Sequence, residues 1–133
     1  MANTEGIGGK FAILLGIAVA AAPACVLADG ASEKVTAQMH ADLAAHAADL
    51  AGVHTHLHHT LNCLVGPSGV GFDPKEMNPC ANAGHGAIPD TADPAKKKAL
   101  SAAADKAKRG IAAADVSSAQ KIAAETAAML KGK

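Results

Sequence analysis

The chain has 133 residues, enough for one domain, and its twelve acidic groups balance twelve Lys and Arg when histidine is neutral. That balance leaves no electrostatic footprint for nucleic acid, and with no Trp or Tyr and Phe only at positions 11 and 72 there is no aromatic platform for stacking bases. Alanine occurs 34 times, a composition that favours helices, because alanine loses no side-chain entropy on entering one, and a thin core crossed at close range.

The first element is "FAILLGIAVAAAPACVLA", residues 11–28, which runs 18 positions without a charge and ends in small or apolar residues before Asp29. It reads as an export signal over residues 1–28, leaving 29–133 as a single helical domain in the periplasm or outside the cell. An uncleaved membrane anchor is the competing reading, weakened by Pro23, the alanine run and a length at the short end of a bilayer span. Lipid attachment at Cys25 lacks the leucine usually found three residues earlier. With Cys25 in the signal, Cys63 and Cys80 remain as an even pair in an oxidising compartment, where a disulfide is expected. Closing that loop stabilises by about 3 kcal/mol in the chain-entropy model. Two thiolate metal ligands would instead need a reducing environment.

A first long helix is expected near residues 33–65, capped by Ser32, with apolar residues at helical spacing through Val35, Met39, Leu43, Leu50, Val53, Leu57, Leu61 and Leu64. Gly66 and Pro67 end it. A second is expected near 94–131, with Asp93 as cap, Pro94 at the first helical position, and Leu100, Ile111 and Ile122 recurring eleven apart. Between them lies a Gly/Pro-rich connection, 66–93, too long to be idle, pinned by Cys80 with Phe72 and Ile88 packed beneath it. Helices of that length run roughly 50 Å or more and cannot bury both stripes alone. The expected fold is therefore all-α: a long antiparallel helical hairpin with a disulfide-pinned loop, packing as a four-helix bundle through a homodimer or through bending, with Gly52 and Gly110 as candidate bends or close crossings.

Chemistry concentrates in "HTHLHH", which places four of the seven histidines in six positions. Around a continuous helix, His46 falls inside the apolar stripe, His40, His54 and His58 along one edge, and His56, His59 and Cys63 on the far side. Two pairs have the spacing at which imidazoles on one helix share an ion: His54 with His58, and His56 with His59. His85 in the pinned loop is the imidazole available to join either. These five are the expected metal ligands, and imidazole nitrogen suits Cu(II), with Zn(II) next.

The alternative is a structural or protein-interaction module of the cell envelope whose histidines complement a helix C-terminal end or are simply solvated. An enzyme is not expected: there is no H-E-x-x-H, G-x-S-x-G or Walker loop, and no C-x-x-C-H for haem attachment. The partner expected is a second copy of the chain, with a membrane only if the N-terminal segment stays attached. An exported, alanine-rich helical chain with histidines three and four apart resembles, over residues 40 to 60, the small periplasmic metal-binding helical proteins of bacteria. The resemblance implies metal binding and carries no individual residue role.

Overall fold

The computed structural model describes residues 30–132; the expected export segment, with Cys25, lies outside the described residues. All regular structure among them is helical: α1 (Ala31–Ala45), α2 (Leu50–Val65), a single turn α3 (Ala87–Asp90), α4 (Pro94–Ile111) and α5 (Val116–Lys131). No helix among these residues is long and apolar enough to cross a membrane.

Each of the two long helices expected from the sequence is in fact two. Residues 46–49 separate α1 from α2, and residues 112–115 separate α4 from α5. The same three residues, Ala-Ala-Asp, make both breaks, in "AADL" ending at Leu50 and "AADV" ending at Val116. In each, the aspartate adopts extended backbone and its side chain accepts a hydrogen bond from an N–H that a continuous helix would turn inward: Gly52 N–H on Asp49 Oδ1 at 2.8 Å, Ser118 N–H on Asp115 Oδ1 at 2.9 Å. Alanine propensity alone would carry the helix through, so these caps and the burial gained by folding back outweigh it. Gly52 and Gly110 are not the bends. Gly52 lies in the first turn of α2 and Gly110 in the last turn of α4, both helical. Gly110 instead permits close crossing, since a Cβ there would lie 2.5 Å from Leu57 Cδ1.

Folding back gives every longer helix at least two neighbours within the chain, and α2 and α5 also meet each other. α1 packs on α2 and α5, and α4 packs on the same two. Two buried clusters result, one around Leu61, Leu64, Leu100 and Leu130, the other around Val53, Leu57, Ala107 and Ala119. Each buried Leu or Val contributes roughly 1.5–3 kcal/mol. Phe72 and Ile88 pack against the first cluster rather than forming a separate one.

The break also corrects the apolar stripe. On α1 the residues facing inward are Ala37, Ala41 and Ala44, whereas Val35, Met39 and Leu43 are exposed at 64%, 52% and 45%. The stripe through Val35 to Leu64 assumed one helical phase, and the interruption at residues 46–49 resets it. α2 buries Val53, Leu57, Leu61 and Leu64 as expected. His46, placed within the stripe by the same assumption, is exposed beside the break. Ser32 is not the cap of α1 either: the helix starts from Gly30 in left-handed backbone (φ 70°), and Ser32 Oγ donates to Glu33 Oε2. Gly30 is tight there, a Cβ coming within 2.6 Å of Ala87 O on α3. The start of α4 is as expected, with Asp93 accepting from the N–H groups of Ala95 and Lys96 and Pro94 opening the helix.

The connection after α2 is pinned as the cysteines suggested. Cys63 and Cys80 form a disulfide, both sulfurs buried. Asn62, the preceding residue and fully buried, holds the same loop: its amide nitrogen lies 3.0–3.3 Å from the carbonyls of Asp73, Glu76 and Met77, and its oxygen accepts from Asp73 N–H at 2.9 Å. Replacing both cysteines by alanine should lower unfolding stability by about 3 kcal/mol. Denaturant melts of the double variant against the oxidised parent check this, and an unchanged midpoint would contradict it.

Candidate metal centre

The break at residues 46–49 turns α1 back along α2 and sets His40, one turn before the end of α1, against the middle of α2. There it meets His56 and His59. His40 Nδ1 and His56 Nδ1 are 3.3 Å apart, and the three ring centroids are separated by 5.0, 5.5 and 5.7 Å. One ligating nitrogen from each of His40, His56 and His59 lies within 4.8 Å of the other two, close enough to share one ion. Thr60, fully buried, fixes the crossing by sharing its one hydroxyl proton between Ala37 O on α1 at 3.2 Å and His56 O at 3.0 Å.

The environment favours neutral imidazole. Burial first, then the adjacent His59 and His56, push the His40 pKa down from 6.5 to about 4. His59 is lowered in the same way, by burial and then by His56, with Glu76 opposing. Neutral nitrogens carry the lone pair that a metal needs. His59 Nδ1 is buried without a hydrogen-bond partner, which costs on the order of 1–3 kcal/mol in a closed interior.

The five residues singled out in the sequence are divided by the fold. His56 and His59 stand together and are joined by His40. His54 and His58 are turned to separate partners: His54 Nε2 meets Ala113 O at 3.1 Å, tying α2 to the turn between α4 and α5, and His58 Nδ1 lies 3.7 Å from Asp73 Oδ2. His85 does not approach either pair; its ring and its backbone N–H both contact Asp90, at 3.2 and 2.7 Å. Burial would raise the Asp90 carboxyl, but these His85 hydrogen bonds outweigh it and hold the pKa below the usual carboxylate value. His46 Nδ1 lies 2.8 Å from Asp42 O and closes the end of α1. A tetrahedral set using Cys63 and Cys80 is ruled out in this oxidised form by their disulfide.

His40 escaped the sequence reading because helical spacing relates residues only along one uninterrupted helix, and His40 is sixteen positions from His56. The signal that could have found it is the repeated "AAD" before Leu50 and Val116, a cap motif inside each long helix. Against known proteins, the chain matches no family profile, no curated protein and no solved structure.

The depressed His40 value has a thermodynamic consequence for the metal-free protein. The unfolded chain takes up a proton near 6.5 that folded His40 refuses until about 4, so stability falls as pH drops through that window and the loss is complete below it. Thermal midpoints measured across this range should decline, and His40→Gln should flatten the decline. An equally steep decline in the variant would contradict the assignment.

Proposed function

We propose that this protein binds or buffers a divalent transition metal ion at His40, His56 and His59, as an exported helical protein rather than an enzyme. The observation that carries the reading is the convergence of three imidazoles from two helices, one of them with a buried nitrogen left without a partner. Three histidine nitrogens suit an ion that keeps one position for water or a small ligand, the arrangement found when Zn(II) is held by three protein groups. By the affinity order of divalent ions Cu(II) should bind most strongly and Zn(II) less.

The disulfide supports export, since such bonds persist in oxidising compartments. In the same reading the four longer helices act as one bundle, and a second copy of the chain covers the outward stripe of Val35, Met39 and Leu43. A specific observation favours the structural alternative for part of the cluster: His46, His54, His58 and His85 each face a carbonyl or carboxylate of this chain. These four are read as fold-supporting side chains.

Calorimetric titration with Cu(II) and Zn(II) separates the roles. One ion per chain is expected, lost in a His40→Ala, His56→Ala, His59→Ala variant and retained in a His58→Gln, His85→Gln variant, which leaves the His46 and His54 contacts at the helix breaks in place. Affinity should fall on acidification, because protons compete for the same nitrogens. Absence of binding at micromolar protein, or binding that survives the triple replacement, would overturn the proposal.

A further inference from the structure

The loop after α2 does more than close over the core. Asn62 and Cys63 sit one helical turn beyond His58 and His59 on α2, and both grip the loop, Asn62 through its amide and Cys63 through the disulfide to Cys80. Asp73 N–H and the carbonyls of Asp73, Glu76 and Met77 are all on the Asn62 side chain. A turn closed by Glu76 N–H on Asp73 O, with Asp73 Oδ1 accepting from Lys75 N–H, fixes how far apart the two acids stand. The spacing of the grip therefore sets where the acids land. Asp73 falls on His58 at 3.7 Å, and Glu76 falls on His59, with Oε2 3.9 Å from Nε2.

His59 is thus bracketed. Its Nε2 faces a carboxylate, and its Nδ1 is buried with no hydrogen-bond partner among the described residues. A neutral imidazole has one N–H and one lone pair, and a carboxylate on one side draws the proton to that side. The lone pair is left on Nδ1. This is the arrangement by which an outer carboxylate orients a metal-bound histidine and raises its basicity. His58 has the same kind of acid beside it and no imidazole cluster, which makes the Asp73–His58 pair an internal control.

We infer that Glu76, carried by the disulfide-pinned loop, is the positioning residue of the His40, His56 and His59 site, holding His59 as its Nε2–H tautomer so that Nδ1 is presented to the ion. The inference rests on the metal-binding reading above. The 3.9 Å separation is longer than a hydrogen bond, and Glu76, one-third exposed at its side chain, closes it by a rotation about its own torsions. The closed contact is a charge-assisted N–H···O bond that survives only while the loop is held in place.

Two readouts on the full mature chain test this: Zn(II) affinity by competition titration, and the His59 tautomer from long-range proton–nitrogen spectra of the metal-free protein at neutral pH. Glu76→Ala should weaken Zn(II) binding by about 10- to 100-fold and move the His59 proton from Nε2 toward Nδ1. Glu76→Gln, which keeps an acceptor oxygen, should restore most of the tautomer and part of the affinity. Asp73→Asn, which keeps the oxygen that accepts from Lys75 N–H and removes only the charge beside His58, should leave the His59 tautomer and Zn(II) affinity as in the parent. Both Glu76 variants retain the backbone carbonyl that Asn62 holds, so the loop remains seated. If the parent binds Zn(II) and either readout stays at its parental value in Glu76→Ala, the inference falls while the metal-binding reading stands. A parent that binds neither Zn(II) nor Cu(II) removes both.

Discussion

The interruption of the first helix at Asp49 is the constraint on which the rest of the molecule depends. A continuous helix over residues 33–65 would place His40 and His56 some 24 Å apart along its axis at the standard rise. The Asp49 cap ends that continuity, and α1 returns along α2 with the two Nδ1 atoms 3.3 Å apart. The equivalent cap at Asp115 does the same for α4 and α5. Because the two turns lie at corresponding places they also brace each other: Gln120 on α5 donates to Ala47 O in the first turn at 2.8 Å, and His54 on α2 reaches Ala113 O in the second at 3.1 Å. A histidine that looked like a ligand thus secures the fold that assembles the site.

Alanine explains how so few large side chains suffice. Ala37, Ala41 and Ala44 on α1, Ala103 and Ala107 on α4, and Ala119, Ala123 and Ala127 on α5 are all buried. Small inward residues let helix axes approach closely, so the leucines of α2 meet neighbouring helices without aromatic filler. Gly110 is the extreme case, opposite Leu57. The consequence on α1 is an inversion, in which the small residues face the core and the large apolar ones face outward.

The loop contributes order at the other face of α2. Asn62 and the Cys63–Cys80 bond hold it from adjacent positions, and its acids come to rest on His58 and His59. His59 then has two imidazoles and a carboxylate as neighbours. Packing three imidazoles together has a cost in the metal-free chain: burial and the neighbouring rings disfavour the charged forms of His40 and His59, and His59 Nδ1 goes without a hydrogen bond among the described residues. A divalent ion at the shared nitrogens would bind the neutral rings and give the unpaired nitrogen a partner.

The sequence by itself determined the helical class, the Asp93–Pro94 start, the Gly66 stop, the Cys63–Cys80 pairing and the closeness of His56 to His59, because each rests on a local propensity, a cap, an even cysteine count or a spacing within one helix. Helix number and the composition of the site were decided only in the tertiary structure. Alanine-rich segments carry a strong preference to continue, and whether Asp49 and Asp115 cap new helices or ride on the surface of long ones depends on the burial gained when the halves fold together. That energy belongs to contacts between α1 and α2, and between α4 and α5, which no local spacing encodes. His40 enters the cluster, and His54, His58 and His85 leave it, for the same reason: once the chain turns at residue 46, neighbourhood is set by packing across helices rather than by position along one.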